Sequence, residues 1–441
     1  MSVCSDELVH LTEKGLYCPA GEFYIDPWAP VARAIITHGH SDHARVGSSE
    51  YFAHPSTVKI MQHRFAQTGS AGLPLFENVA GLGAELTAQM HPVPYRQSVN
   101  FSDVKVSLHP AGHILGSAQV RIEHKGKITV VSGDYKLSKV SSMALDDLTC
   151  EPFELVQCDT FITESTFALP IYKFRPTIEV VAEIYDWWVE CARLGRSALL
   201  LAYSLGKAQR VLAALRQLAL SGSLTPNFSG NFPGPILVHP AVHSLCEIYR
   251  AEGVELPDYQ VMGRHSQASS SQGNQPSMSG SASDSSKADT FQADSSHKNS
   301  SHKNSSHKNS SHANSYESNS DLDLESKELE SGDNSSVLKN GGALIIAPPA
   351  LAESKLARSA NVSLGFASGW MQVRGQRRRR NVDRGFVLSD HADWQSLTKT
   401  IFATGAASVL VTHGSSGSLV RFLREHGLEA NDLQTRFEGG E

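Results

Sequence analysis

Short apolar runs that break off at polar, often glycine-bearing segments recur through the first half of this chain: FYIDP, ARAIITHGHSD, KVSLHPAGH, KITVVSGDY, TFITEST and SALLLAYSLG. Runs of this length bounded by turn residues predict strands, with the polar residues on the loops that follow. Two longer stretches, PTIEVVAEIYDWWVECARLG and GKAQRVLAALRQLALSG, space their apolar residues as helices do. Further along, ALIIAPP, RGFVLSDHADW and ASVLVTHGS return to the strand-then-loop pattern. The alternation predicts an α/β protein whose chemistry-bearing residues stand where strands stop, a favoured place for active sites.

The pattern fails between about Gln267 and Ser336, where Ser, Asn, Gly and Asp dominate and large apolar residues are almost absent. Such a segment buries too little to offset the entropy of ordering it and is expected to be disordered. Within it SSHKN recurs, setting His297, His302, His307 and His312 five residues apart. A repeat-expanded linker is the reading preferred over a metal-binding tract, and no catalytic role is assigned to it. The insert also accounts for the charge. The chain carries a net −6, but residues 265–338 hold five Lys, no Arg and ten Asp plus Glu, so the remainder stands at only −1. Any basic groove is therefore local, and Arg374, Arg377, Arg378, Arg379, Arg380 and Arg384 form the one dense run, either a nucleic-acid contact or a solvated face.

With 441 residues, 40% of them hydrophobic, the chain can pack two domains. No stretch approaches the ~20 apolar residues of a membrane helix, and MSVCSDELVHLTEK lacks the apolar core of a secretory signal, so a cytoplasmic protein without membrane contact is expected. The six cysteines form no CxxC pair and read as small buried hydrophobes.

The densest chemistry lies in THGHSDHA, where His38, His40, Asp42 and His43 crowd one loop after the apolar run ARAIIT. Imidazoles and a carboxylate without cysteine suit Zn²⁺, with Mn²⁺ or Fe as alternatives. Two metals need more ligands than one loop presents. His113 in PAGHILGS, Asp134 at the end of KITVVSGDY and His413 at the end of ASVLVTHG supply candidates at other strand ends.

These motifs resemble the metallo-β-lactamase superfamily, and within it the β-CASP nucleases. The resemblance runs through Asp26 in YIDP, His38 to His43, His113, Asp134, Glu164 in TESTF, His391 in LSDHAD and His413 in VTHG. GLYCPAGEFYIDPW, AGHILGSAQVRIEHKG, CDTFITESTFALPIY, GKAQR, SGWMQVRG and VDRGFVLSDHADW are similar to the bacterial ligase-associated DNA exonucleases, also described as mRNA 3′-end processing factor-like. The acidic insert departs from that compact pattern.

The resemblance implies an αββα sandwich over residues 1–166 and 376–441, with an inserted α/β β-CASP domain over 167–375 that contains the low-complexity insert. It implies that His38, His40 and His113 hold one divalent metal, that Asp42, His43 and His413 hold a second, and that Asp134 bridges them. Two ions, Zn or alternatively Mn, then activate a hydroxide for in-line attack on phosphorus. His391 is the expected general acid or phosphate contact, with Asp26 and Glu164 orienting ligands. Ser204, Lys207, Ser368, Gly369 and Arg377 are candidate phosphate contacts, with helix capping the ordinary alternative for the loop positions. The implied function is a DNA exonuclease that works in repair beside an ATP-dependent DNA ligase. An RNA-processing nuclease of the ribonuclease J type stands as the alternative, ahead of a catalytically inactive scaffold and of a small-substrate hydrolase.

Overall fold

The structure, a computed structural model, describes residues 7–67, 88–139, 148–222, 232–263, 340–414 and 416–435. The low-complexity segment, with His297, His302, His307 and His312, lies outside the described residues. Contacts gather Met1–Met262 and Asn334–Glu441 into one unit and Gly263–Asp333 into another. Every element below belongs to the first. Among the described residues the strands form three sheets of six, seven and six members, a mixed α/β architecture.

The first sheet takes its strands in chain order: β1 (His10–Thr12), β2 (Gly15–Cys18), β3 (Phe23–Ile25), β4 (Arg33–Ile35), β5 (Glu50–Ala53) and β6 (Gln89–Pro92). Pairing is antiparallel up to β3 and parallel from there on. Helix α1 (Pro55–Gln67) follows β5 and buries Val58, Met61 and Phe65, one face of a 3.6-residue repeat, against Ala34, Ile36 and Tyr51.

The second sheet begins as an antiparallel run of β7 (Ser98–Phe101), β8 (Val104–Pro110), β9 (Ala118–His124) and β10 (Lys127–Val131), to which β11 (Thr160–Thr163) adds in parallel. Val104, Val106 and Leu108 alternate with exposed Lys105 along β8, so one face is apolar. That face joins Leu16, Phe23, Ile25 and Ile35 of the first sheet in a single core.

The third sheet has the composition of a sheet covered on both faces. Its strands are β12 (Ser197–Leu201), β13 (Ile236–Val238), β14 (Gln260–Val261), β15 (Leu344–Ala347), β16 (Val362–Ala367) and β17 (Arg384–Phe386), all parallel, in the order β14-β13-β15-β12-β16-β17. Every residue of SALLL, LIIA and VSLGFA is buried. Helices α2 (Thr177–Arg193), α3 (Lys207–Leu220) and α4 (Pro240–Ala251) supply the cover, with Ile184, Trp188, Val211, Leu215 and Tyr249 in one core. α5 (Arg374–Arg380) carries the arginine run, and β17, which follows it, pairs with β16 past the expected boundary at residue 375.

The last elements return to the second sheet. After α6 (Trp394–Ala403), β18 (Ser408–Val411) lies parallel beside β11; α7 (Ser416–Glu425) then leads to β19 (Glu429–Asp432) at the edge. Leu397, Ile401, Leu419 and Leu423 of these helices pack with Phe161, Val409 and Tyr135. No helix among the described residues is long and apolar enough to cross a membrane.

Candidate metal centre

Parallel pairing aligns strand ends, and here it aligns the polar loops. Val131 of β10 pairs with Ile162 of β11, and Thr163 of β11 with Val411 of β18, so Asp134, Glu164 and His413 leave the second sheet at one edge. In the first sheet Ile25 pairs with Ile35, which places Asp26 beside the start of the His38–His43 loop. Three described residues make the turns tight. Gly133 has φ +55°, and a Cβ there would lie 2.7 Å from the Thr37 Cβ; Asp26 and His413 adopt φ 44° and 61° despite their side chains.

The loops meet around Asp134. Single ligand atoms of His38, His40, His113 and Asp134 lie within 4.8 Å of one another, and so do those of His43, Asp134 and His413, and of Asp134, Glu164 and His391. Asp134 is common to all three groups. Its Oδ2 stands 3.5 Å from His38 Nε2, 3.5 Å from His43 Nε2 and 3.8 Å from His113 Nε2. Its Oδ1 is buried and accepts no hydrogen bond among the described residues. Asp42 stands beside the second group, Oδ2 3.6 Å from His43 Nε2.

Hydrogen bonds on the far side of each ring fix which nitrogen faces inward. Asp26 accepts from Thr37 N at 2.8 Å, from the Thr37 hydroxyl at 2.6 Å and from His43 Nδ1 at 2.7 Å. Because that hydroxyl proton goes to Asp26, the Thr37 oxygen is left to accept from His38 Nδ1 at 3.0 Å. His113 Nδ1 donates to the Asp390 carbonyl at 2.9 Å. His40 turns the other way, with Nε2 toward the Leu205 carbonyl at 3.3 Å. The lone pairs of His38 Nε2, His40 Nδ1 and His113 Nε2 therefore point at a common space, with separations of 3.1 Å from His40 to each of the others. Bare lone pairs at this distance repel unless a cation lies among them. The donor set of imidazole and carboxylate, with an uncommitted carboxylate oxygen, fits a divalent metal of the zinc type.

Electrostatics favour the neutral, metal-ready form at four of the five histidines. Burial, reinforced by neighbouring rings, holds His38 and His113 well below the ordinary imidazole value. Burial takes His40 down to about 4 and His413 to about 3. For His43 the same burial is outweighed by Asp134, Asp42 and Asp26, which raise it to about 10. Burial raises Asp134 to about 7 against the opposing pull of His43.

His391, which shares the third group with Asp134 and Glu164, has its ring centroid 4.7 Å from that of His113. Its Nδ1 donates to Glu164 Oε2 at 2.8 Å. Glu164 also accepts from Tyr135 N at 2.7 Å and Thr166 Oγ1 at 2.6 Å, and although burial works against its charge, His391 and these donors hold the carboxyl below its usual value.

The candidate phosphate contacts lie on loops and helices that follow strands of the third sheet. Lys207 is fully buried, its Nζ 3.4 Å from Asp390 Oδ2, so its charge is answered inside the protein. Ser368 is buried and caps the short 3-10 turn Gly369–Gln372 by accepting from Trp370 N at 3.2 Å, with Gly369 buried behind it. Ser204 is half-buried, and its carbonyl accepts from Gln209 Nε2 at 2.9 Å. Arg377 lies in α5, while Arg374, Arg378, Arg379 and Arg380 are exposed. Four residues that sequence reasoning passes over complete the surroundings: Thr37, Leu205, Asp390 and Arg210. Thr37 and Asp390 directly precede motif histidines, the only signal that could have marked them.

No family model matches the chain. A probable DNA ligase of Opitutus terrae is 26% identical over 419 residues, 94% of this chain and 30% of that protein. An RNase J-like protein of Methanocaldococcus jannaschii is 29% identical over 201 residues, 44% of this chain and 45% of that one. RNase aCSPSF2 of Saccharolobus solfataricus is 25% identical over 156 residues, 35% of this chain and 28% of that one. The chain thus spans less than half the length of each of these curated relatives. Set beside donor residues gathered at strand ends, these similarities liken the chain to the β-CASP nucleases of the metallo-β-lactamase superfamily.

Proposed function

We propose that this chain is a metal-dependent DNA exonuclease, a cytoplasmic phosphodiesterase that works in repair beside an ATP-dependent DNA ligase. The observation that carries the reading is the convergence of His38, His40, His113, His43 and His413 on one carboxylate, Asp134. In this reading the first two sheets with their flanking helices are the αββα sandwich, supported by cores that link α1 to the first sheet, the first sheet to the second, and the second to α6 and α7. The third sheet, β17 included, is the β-CASP cap.

His38, His40 and His113 would hold one ion and Asp42, His43 and His413 the other, with Asp134 within reach of both groups. When bound, such a pair supplies Lewis acidity and a water acid enough to ionise near neutral pH. No protein nucleophile is required. Asp26 orients His43 directly and His38 through Thr37, and the Asp390 carbonyl orients His113. Glu164 holds His391 through Nδ1 and so sets the ring that gives a proton to the departing oxygen.

The ligase-named relative matches nearly all of this chain, which supports DNA and the ligase partnership. Relatives named as ribonucleases support the second reading, an RNA-processing nuclease. Purified protein with Zn²⁺ or Mn²⁺, given end-labelled single-stranded DNA and matched RNA beside the His40→Ala variant, separates them. Stepwise shortening of DNA that the variant lacks is expected. Preferential cutting of RNA moves the chain to the second reading, and cleavage of neither overturns both.

A further inference from the structure

A buried charge cluster stands behind the candidate ligand histidines, and the proposed reaction gives its two cations no task. Arg210 of α3 is 1% exposed, Lys207 is fully buried, and both face Asp390 in the loop after β17. Arg210 Nη1 donates to Asp390 Oδ1, and its Nη2 donates to the His113 carbonyl at 2.7 Å. His113 in turn donates from Nδ1 to the Asp390 carbonyl at 2.9 Å. The connections close a ring: guanidinium to carboxylate, the same residue's carbonyl to imidazole, and that histidine's own carbonyl back to the guanidinium.

We propose that Arg210 is a positioning residue that, through Asp390, fixes the tautomer and aim of His113 and so couples the third sheet to the metal centre. The proposal rests on the metal reading above. A guanidinium is suited to this because its planar fork holds two acceptors at a fixed angle, which a lysine ammonium at the end of a flexible stem does not. Lys207 supplies the second charge that lets Asp390 stay ionised in a dry site. A buried ion cluster contributes little net stability, so a cluster at this place is better explained by what it orients. His391 follows Asp390 directly, so the same clamp sets the start of the loop that carries it.

Arg210→Ala takes the guanidinium away from the Asp390 carboxylate, and a collapse of the fold there would decide nothing. Arg210→Lys keeps the cation opposite Asp390 while giving up the fork. The full-length chain, wild type and R210K, is titrated with Co²⁺ followed by visible absorption, and the metal-free proteins are compared by histidine ring ¹⁵N NMR. The expected result is a folded R210K that binds one of two Co²⁺ equivalents about 10–100-fold more weakly. The His113 ring, protonated at Nδ1 in the wild type, shows mixed tautomers in the variant. A folded R210K that binds both equivalents as the wild type does, with His113 unchanged, overturns the proposal. A wild type that binds no Co²⁺ removes the metal reading instead, and the tautomer comparison then decides the positioning claim by itself.

Discussion

Asp134 is the residue on which the rest converge, since three groups of candidate ligand atoms share it. Asp134→Ala is expected to lower hydrolysis of an end-labelled strand to the uncatalysed background and to reduce bound metal per chain, measured by elemental analysis. His43 gives a pH signature. Its folded-state value is raised to about 10, so the stability it contributes is complete below the unfolded value of about 6.5 and is lost as pH rises through about 10. Metal-free protein should therefore lose urea stability from pH 7 to 9 with a slope of up to about 1.4 kcal/mol per pH unit, and His43→Gln should flatten that slope. Metal must displace the same proton, so affinity rises over the same window. Glu164→Gln is expected to cut kcat about 100-fold with little change in KM, because it weakens the hold on the His391 proton without touching the ligands. What could be read at this scale was the set of histidines and acids in dense motifs. What could not was the fate of single cations: Lys207 has the look of a phosphate contact in GKAQR, yet only the fold reveals that Asp390, far along the chain, answers its charge.

At the scale of elements, the strands that end in polar loops were legible because parallel strands covered on both faces read as unbroken apolar runs, as SALLL and LIIA do. Helices α2 and α3 were legible from their spacing. The two- and three-residue strands β1 and β14 were not, since nothing so short carries a period. The turn after β10 shows how an element sets a site. Gly133→Ala would force a side chain into a φ of +55° and against Thr37, whose hydroxyl links His38 to Asp26. A loss of about 1–3 kcal/mol is expected from denaturant titration, together with weaker metal binding.

On the scale of the molecule, the composition of residues 267–336 predicts that the packed core does not depend on them. Deleting it should leave the rate of hydrolysis and the unfolding midpoint largely unchanged; a loss of activity in the deleted protein would assign it a part in substrate capture. The order of the second sheet has a different consequence. β18 follows β11 far along the sequence yet lies beside it, opposite β10, and His413 arrives only with β18. A polypeptide still being translated therefore cannot bring His413 to the other candidate donors until β18 has been made and has paired with β11.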